Sequence, residues 1–545
     1  MSAQHHKLQQ PKRQKAFSKR SRTGCRTCRV RHVKCDETQP ACRNCTTNGW
    51  KCEGYESNRL PREPKQHLQI AAPVATGFRW AMTTDEKRCV SFFLCRTVPG
   101  LTSYYDSSLW QKLVLQMCST EPAVYHAVVA LSAVNQDLER NGIPMPGTNT
   151  GSSWQRFALE QSIRSFGLLN RRHILQDPQL RQVLLVSCLL FVMLELALGH
   201  FDEATMHLQS GLAILKEMKI QRQALGTASA MVEDSLLDAF LNLESQSSHH
   251  GVSVPRLGLD IQLMHLHYER YLHEFKTVQD VQHAFNPITN TTLPFLERCW
   301  SRPEDQIMAE YGMLHAQQQR LLSCLHQFNI YFTQFCESHY ARLDLKQQRG
   351  LDMIKCMYLT MALTVKTCLY TRGCPEPASF MTEYKELLSE AQSVISKFKD
   401  RPLMTIETTI CPTLFVVAAR CPDYSIRLQA LDALRSWPHC EGYLNSTLIA
   451  DLVLEGMKGE LKQLWRDSKV NPRYLPPGLM FGEDNEQQVV VHISANEGAL
   501  GQILSLKPNK ELADSLASIG TAQNWPCVRA SGILMNRTLD SELYV

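Results

Sequence analysis

Six cysteines within 28 residues limit what this chain can fold into more than any other feature. They stand at Cys25, Cys28, Cys35, Cys42, Cys45 and Cys52 in the run CRTCRVRHVKCDETQPACRNCTTNGWKC. A C-x2-C-x6-C module is thus written twice, with six residues between the copies. A C-x2-C pair can place two thiolates on one metal, and zinc takes four ligands in a tetrahedron. Two separate tetrahedra need eight ligand positions, which six sulfurs supply if two of them bridge both ions. A single four-cysteine site is the simpler alternative, but it leaves the repeat unexplained. A disulfide knot needs an oxidising compartment, for which nothing else in the chain argues. The spacing therefore favours a cluster of two zinc ions. So short a segment has almost no apolar core, and its fold is expected to depend on the metal.

The two copies agree in cysteine spacing and differ in charge. The first carries Arg26, Arg29, Arg31, His32 and Lys34, the second only Arg43 and Lys51. Residues 1–55 hold 13 Lys and Arg against 3 Asp and Glu, whereas the remaining 490 residues hold 45 against 50. A module symmetric in its ligands and lopsided in charge presents one face to an anion. Nucleic acid suits that face, because phosphates reward clustered cations through counterion release. The mildly acidic body is not expected to touch DNA.

The block resembles the fungal Zn2Cys6 binuclear cluster, the DNA-binding module of a large family of transcription factors. The likeness covers all six cysteines, the basic run RVRHVKCDE, Pro40 before Ala41-Cys42, and the closing CEGY. It implies that Cys25 and Cys42 bridge two structural zinc ions, with Cys28 and Cys35 completing one and Cys45 and Cys52 the other. It also implies a short helix after Cys25 whose far end enters the major groove of double-stranded promoter DNA. Arg31 and His32 would then face base edges, and Arg26, Arg29 and Lys34 would hold phosphates. Family members usually carry lysine or arginine where His32 stands and read CGG-type triplets, so the triplet read here is left open. Nuclear residence, contact with the transcription machinery and regulation of RNA polymerase II genes follow from the same likeness.

The expected fold class is mainly α, in five stretches: a basic disordered N-terminus over 1–24, the zinc module with two short helices over 25–55, and a linker over 56–80. A large all-α regulatory domain follows over 81–495, then a tail over 496–545. Lys12-Arg13-Gln14-Lys15 and Lys19-Arg20-Ser21-Arg22 read as a nuclear-import signal. The linker has Pro61, Pro64 and Pro73 and no a/d heptads, so any homodimer is expected to form through the helical domain. Within that domain Leu208, Leu212 and Leu215, and Leu321, Leu325, Phe328, Phe332 and Phe335, recur at helical spacing. Gly199 marks a turn after an apolar helix over 180–198, and Gly211 would allow a close backbone approach. The apolar run 183–198 is short for a membrane span and contains Glu195, so it is expected to be a buried core helix and no membrane a partner. The polar breaks at 141–153 and 283–303 are expected as surface loops, and 489–494 as a short strand. Two stretches, over 177–215 and 412–446, resemble the regulatory region of a subgroup of the same family.

The other fourteen cysteines, among them Cys188, Cys324, Cys356 and Cys421, read as reduced core residues of an intracellular protein. An enzyme reading finds no support in G-x-S-x-G, H-E-x-x-H, G-x-x-x-x-G-K-[ST] or G-x-G-x-x-G, none of which occurs. His265, His267 and His273 lack a paired metal spacing. The alternative to a DNA-binding factor is a zinc-dependent interaction adaptor, against which the lopsided charge speaks.

Overall fold

The computed structural model describes residues 23–55, 59–61, 80, 82–147, 151–174, 180–225, 234–247, 274–370, 378–470, 476, 478–483, 488–494, 502–519 and 522. The expectations for the basic N-terminus up to residue 22, for most of the linker and for the histidine-rich stretch 264–273 lie outside these residues. The chain divides into two compact units, Met1–Ser91 and Phe92–Val545.

The described residues of the first unit include α1 (Arg26–Val30), α2 (Arg43–Thr46) and the start of α3 (Thr84–Phe92). Helices α1 and α2 are a matched pair. Each begins at a cysteine whose sulfur accepts from a backbone N–H three residues on: Cys28 N to Cys25 Sγ at 3.4 Å, and Cys45 N to Cys42 Sγ at 3.3 Å. Each also ends the same way. His32 and Gly49 adopt left-handed backbones, with φ of 57° and 69°, and the next N–H reaches back five residues: Val33 to Cys28 O, and Trp50 to Cys45 O. That is the Schellman ending, which glycine enters freely and a residue with a Cβ enters at a cost.

The second unit is helical nearly throughout. Helices α4 (Pro122–Asn141), α5 (Ser153–Ile174), α6 (Leu180–Leu198) and α7 (Phe201–Leu225) pack as neighbours, with α6 between α4 and α7. Helix α6 is, among the described residues, the one helix long and apolar enough to cross a membrane, and 72% of it is buried inside the fold. Gly199 ends it with φ of 76°, and a Cβ there would sit 2.9 Å from Pro146 Cα. Gly211 is needed where α7 meets α8 (Asp234–Ser247), because its Cβ would lie 2.2 Å from the Phe240 ring. Both glycines therefore meet the expectation for them, a turn and a close approach.

Helices α9 (Val278–Ser301), α10 (Tyr311–His339) and α11 (Leu345–Thr367) share one core through Phe285, Ile288, Leu325, Phe328 and Met357. A second core joins α11 to α12 (Met381–Lys397), α13 (Cys411–Arg420), α14 (Tyr424–Ser436) and α15 (Ser446–Val470). The expectation of a loop over 283–303 is corrected here, since that stretch is most of α9. A reciprocal cap between Thr277 and Asp280 starts the helix, and it runs through Pro287 and Pro294. Burial of Val281, Phe285, Ile288, Phe295 and Cys299 along one face outweighs the hydrogen bonds the prolines remove.

Strands are few. Strand β1 (Met404–Thr405) lies parallel to β2 (Cys440–Glu441), which turns through Gly442 into antiparallel β3 (Leu444–Asn445). Strands β4 (Leu479–Glu483), β5 (Val489–Ile493) and β6 (Gln502–Ser505) form an antiparallel sheet. The expected strand at 489–494 is β5. The last described helix, α16 (Lys510–Ala517), buries Leu512 and Leu516. None of the described cysteines is in a disulfide, and Cys188, Cys324, Cys356 and Cys421 are buried.

Candidate metal centre and nucleic-acid interface

The repeated cysteine module folds so that the six sulfurs converge. Two sets of four form, Cys25, Cys28, Cys35 and Cys42, and Cys25, Cys42, Cys45 and Cys52, each with its ligand atoms within 4.8 Å of one another. Cys25 and Cys42 belong to both sets. Their sulfurs are 3.5 Å apart, with Cys25 to Cys45 at 3.7 Å and Cys28 to Cys42 at 3.6 Å. Four sulfurs at about 2.3 Å from one zinc in a tetrahedron stand roughly 3.8 Å apart, so the donors fit the metal. Eight ligand positions are thus available from six residues.

Backbone N–H groups support the same pattern with two-fold regularity. Besides the two helix-capping contacts, Cys25 N donates to Cys35 Sγ and Cys42 N to Cys52 Sγ, both at 3.4 Å. Burial resists ionisation of Cys35, yet donation from Cys25 and Glu37 brings its thiol below the ordinary range. At Cys25, burial prevails and raises the thiol far above it. A buried sulfur that belongs to both sets ionises more readily beside a cationic metal.

The acidic residues following the third cysteine of each copy tie the repeat together. Asp36 accepts from Arg43 N and Asn44 N, both at 3.0 Å, and so caps α2. The Thr38 hydroxyl, then these N–H groups, hold its carboxyl well below the usual carboxylate range. Its counterpart Glu53 pairs with Arg26 Nε at 3.0 Å. Tyr55 closes the module by donating to Thr38 O at 2.7 Å.

The basic residues do not share one environment. His32 and Lys34 are exposed at the end of α1. Arg31 is half-buried, with its guanidinium 4.4 Å from the ring centroid of Trp50, itself 51% exposed. Arg29 is half-buried; desolvation, then the nearby Arg59, lower it to about 10, so it stays charged at neutral pH. Arg26, expected on a phosphate, is buried instead. Its Nη1 lies 3.0 and 3.2 Å from the two carboxylate oxygens of Glu86, which is fully buried at the start of α3. Glu86 also accepts from Thr83 N at 2.8 Å, and Arg59 pairs with Asp85 beside it. Trp50 and Glu86 are the residues that sequence reasoning missed. Only Trp50 carried a signal, an aromatic residue placed beside the turn glycine.

A third group, Cys411, His439 and Glu441, lies fully buried in the helical unit. Its acceptors are already spent. The Glu441 carboxylate takes the Thr409 hydroxyl and the N–H groups of Thr409, Ile410 and Cys411 at the start of α13. His439 has Nε2 2.9 Å from Glu441 Oε1 and Nδ1 2.7 Å from Trp437 O. Burial opposes charge on Glu441, but the His439 ring and Thr409 hold its carboxyl below the usual range. Burial pushes the Cys411 thiol far up. The group is a cap for α13.

Residues 23–62 match the fungal Zn(2)-Cys(6) binuclear cluster domain, and residues 88–456 the fungal specific transcription factor domain. The chain belongs to the fungal Zn2Cys6 transcription factor family, a family of regulators rather than of enzymes, whose cluster domain holds two zinc ions. Similar proteins include the aspercryptin biosynthesis cluster-specific transcription regulator atnN of Emericella nidulans, 27% identical over 253 residues, or 42% of this chain and 40% of that protein. The transcription regulator lscL of Purpureocillium lilacinum is 25% identical over 230 residues, 39% of this chain and 54% of that protein. Adhesion and hyphal regulator 1 of Candida albicans is 56% identical over 166 residues, 27% and 26% of the two chains. The matches thus span about half or less of these relatives. No solved structure matches.

Proposed function

We propose that this chain is a sequence-specific DNA-binding transcription regulator acting on RNA polymerase II genes in the nucleus. The single observation that carries the reading is the pair of sulfur sets sharing Cys25 and Cys42, with a basic helix end beside them. In this reading Cys25 and Cys42 bridge the two zinc ions, Cys28 and Cys35 complete the first, and Cys45 and Cys52 the second. Every coordination position is filled, so the metal is structural and activates no water. The ions turn a short, nearly coreless segment into a rigid support for α1.

His32, exposed at the helix end, and Arg31, steadied by the Trp50 ring, supply the base-reading edge. Arginine can pair with guanine O6 and N7 in the major groove. Lys34 and Arg29 supply phosphate contacts, which orient the module without reading sequence. Arg26 takes a different part, holding α3 to the zinc module through Glu86. A homodimer through the helical unit, and contact of that unit with the transcription machinery, complete the proposal.

The test is a mobility-shift titration of the full chain on promoter fragments, with and without a zinc chelator. Retention of particular fragments that chelation abolishes supports the reading. Equal retention of all fragments, or none, refutes it.

A further inference from the structure

The helical unit contains a cavity of about 340 Å³, within the range of small-molecule sites. Its walls come from the segment 105–110, from α8, α9 and α11, and from the segment 406–408 between β1 and α13. Nothing in the DNA-binding reading uses it.

One group in the wall stands out by what it lacks. Glu407 Oε2 is buried and has no hydrogen-bond partner among the described residues. A buried acceptor left unmatched is rare in folded proteins and asks for a reason. The strand of chain that carries it is held in place: Gln246 Nε2 donates to Ile406 O at 2.7 Å and to Thr408 Oγ1 at 2.9 Å, and Thr405 Oγ1 donates to Glu407 O at 2.9 Å. Glu407 Oε2 is therefore held at a fixed place in the wall. Desolvation lifts its carboxyl to about 7, against backbone hydrogen bonds from Glu407 and Ile406 that lower it.

The charged groups that line the cavity itself are acidic, and the nearby Lys346 is taken up by Asp106. The lining includes Asp106, Asp238 and Glu407 and no lysine or arginine, with His283 the one basic side chain. Asp106 is committed to Lys346 Nζ at 2.6 Å and to Gln111. An anion would meet uncompensated carboxylate there, whereas a cation would meet an unmatched acceptor. Trp110, Phe285, Met353 and Met357 add apolar surface to the lining, suited to the body of an organic ligand and to cation–π contact. The amides of Asn242, Gln282 and Asn286 add donors and acceptors for its polar substituents.

We propose that this cavity binds a small organic cation, a primary ammonium on an apolar or aromatic body, with the ammonium on Glu407. The inference rests on the helical unit alone and is independent of how the zinc module reads DNA.

Isothermal titration of the full chain with butylamine, phenethylamine and tyramine at pH 7.5 tests it, with 4-ethylphenol and 4-hydroxyphenylacetate as neutral and anionic counterparts of tyramine. Saturable 1:1 binding of at least one amine is expected. For tyramine's counterparts, and for the best amine on Glu407→Gln, affinity should fall roughly tenfold to a hundredfold, the value of a charge-assisted hydrogen bond. Glu407→Gln removes the charge at nearly constant shape, and unchanged circular dichroism shows that it folds. Failure of all three amines to bind overturns the proposal. So does binding that ignores ligand charge, or that Glu407→Gln leaves intact.

Discussion

His32→Gly separates folding from recognition in one substitution. His32 holds a left-handed backbone, at φ of 57°, in the position that Gly49 fills in the second half of the repeat. Relieving a Cβ in that conformation gains about 1–2 kcal/mol. Glycine's greater freedom in the unfolded chain gives back about 0.4–1 kcal/mol. The zinc module should therefore be unchanged or up to about 1.6 kcal/mol more stable. Binding should move the other way. A directed base contact is worth about 1–3 kcal/mol, so affinity for the preferred site should fall roughly 5- to 150-fold, with relaxed preference at one base position. Fluorescence anisotropy of the full chain on its preferred duplex, repeated at several salt concentrations and at pH 8, measures this. The salt slope should hold, because a contact with a base edge displaces no counterion from a phosphate. Lys34→Ala should instead weaken all sequences alike and reduce the slope by about one. Unchanged affinity and base preference in His32→Gly would show that His32 only ends the helix, and a uniform loss with a reduced slope would show a phosphate contact.

Metal analysis of the full chain should find that Cys25→Ser and Cys42→Ser each disturb both zinc ions, whereas Cys52→Ser spares the first more than the second. Trp50→Ala removes the face on which Arg31 rests, and it should weaken specific binding by about 0.5–1 kcal/mol in a competition titration with zinc content unchanged. Glu407 has a folded-state carboxyl raised by burial to about 7 from an ordinary 4.5. A raised acid is harmless below its unfolded value, so stability should fall as pH rises from about 4.5 to 7 and level off above. The loss is at most about 3 kcal/mol, reduced in so far as solvent reaches the cavity. Denaturant titrations should show that Glu407→Gln loses this slope and is the more stable form above pH 7.

The metal centre was legible because its information is local. Six cysteines at fixed intervals give the ligand number, the resemblance to the fungal cluster implies their pairing, and Pro40 and CEGY sit in the same short stretch. The charge on α1 was equally visible, but charge does not say where a side chain goes. Arg26 and Arg29 looked alike in sequence, and only the return of the chain at Thr83–Glu86 buries Arg26 against a carboxylate. The helical body was legible where apolar residues recur without interruption, as in α6 and α10. In α9 the prolines at 287 and 294 and the run of asparagine and threonine hid a helix that packing against α10 and α11 sustains. Strand β6 buries little, so its sequence has no alternation to read, and it exists through backbone pairing with β5. The cavity at Glu407 gathers residues from five segments far apart in the chain, which no spacing rule brings together.

Selection of binding sites from randomised duplex DNA by the full chain, carried out with two zinc ions bound and again after chelation, tests the central claim most directly. The account predicts enrichment of one short motif by the zinc-loaded protein, a flattened preference at one position in His32→Gly, and no enrichment after chelation or in Cys25→Ser. Recovery of no motif by the zinc-loaded chain, or of the same motif after the metal is removed, would contradict it.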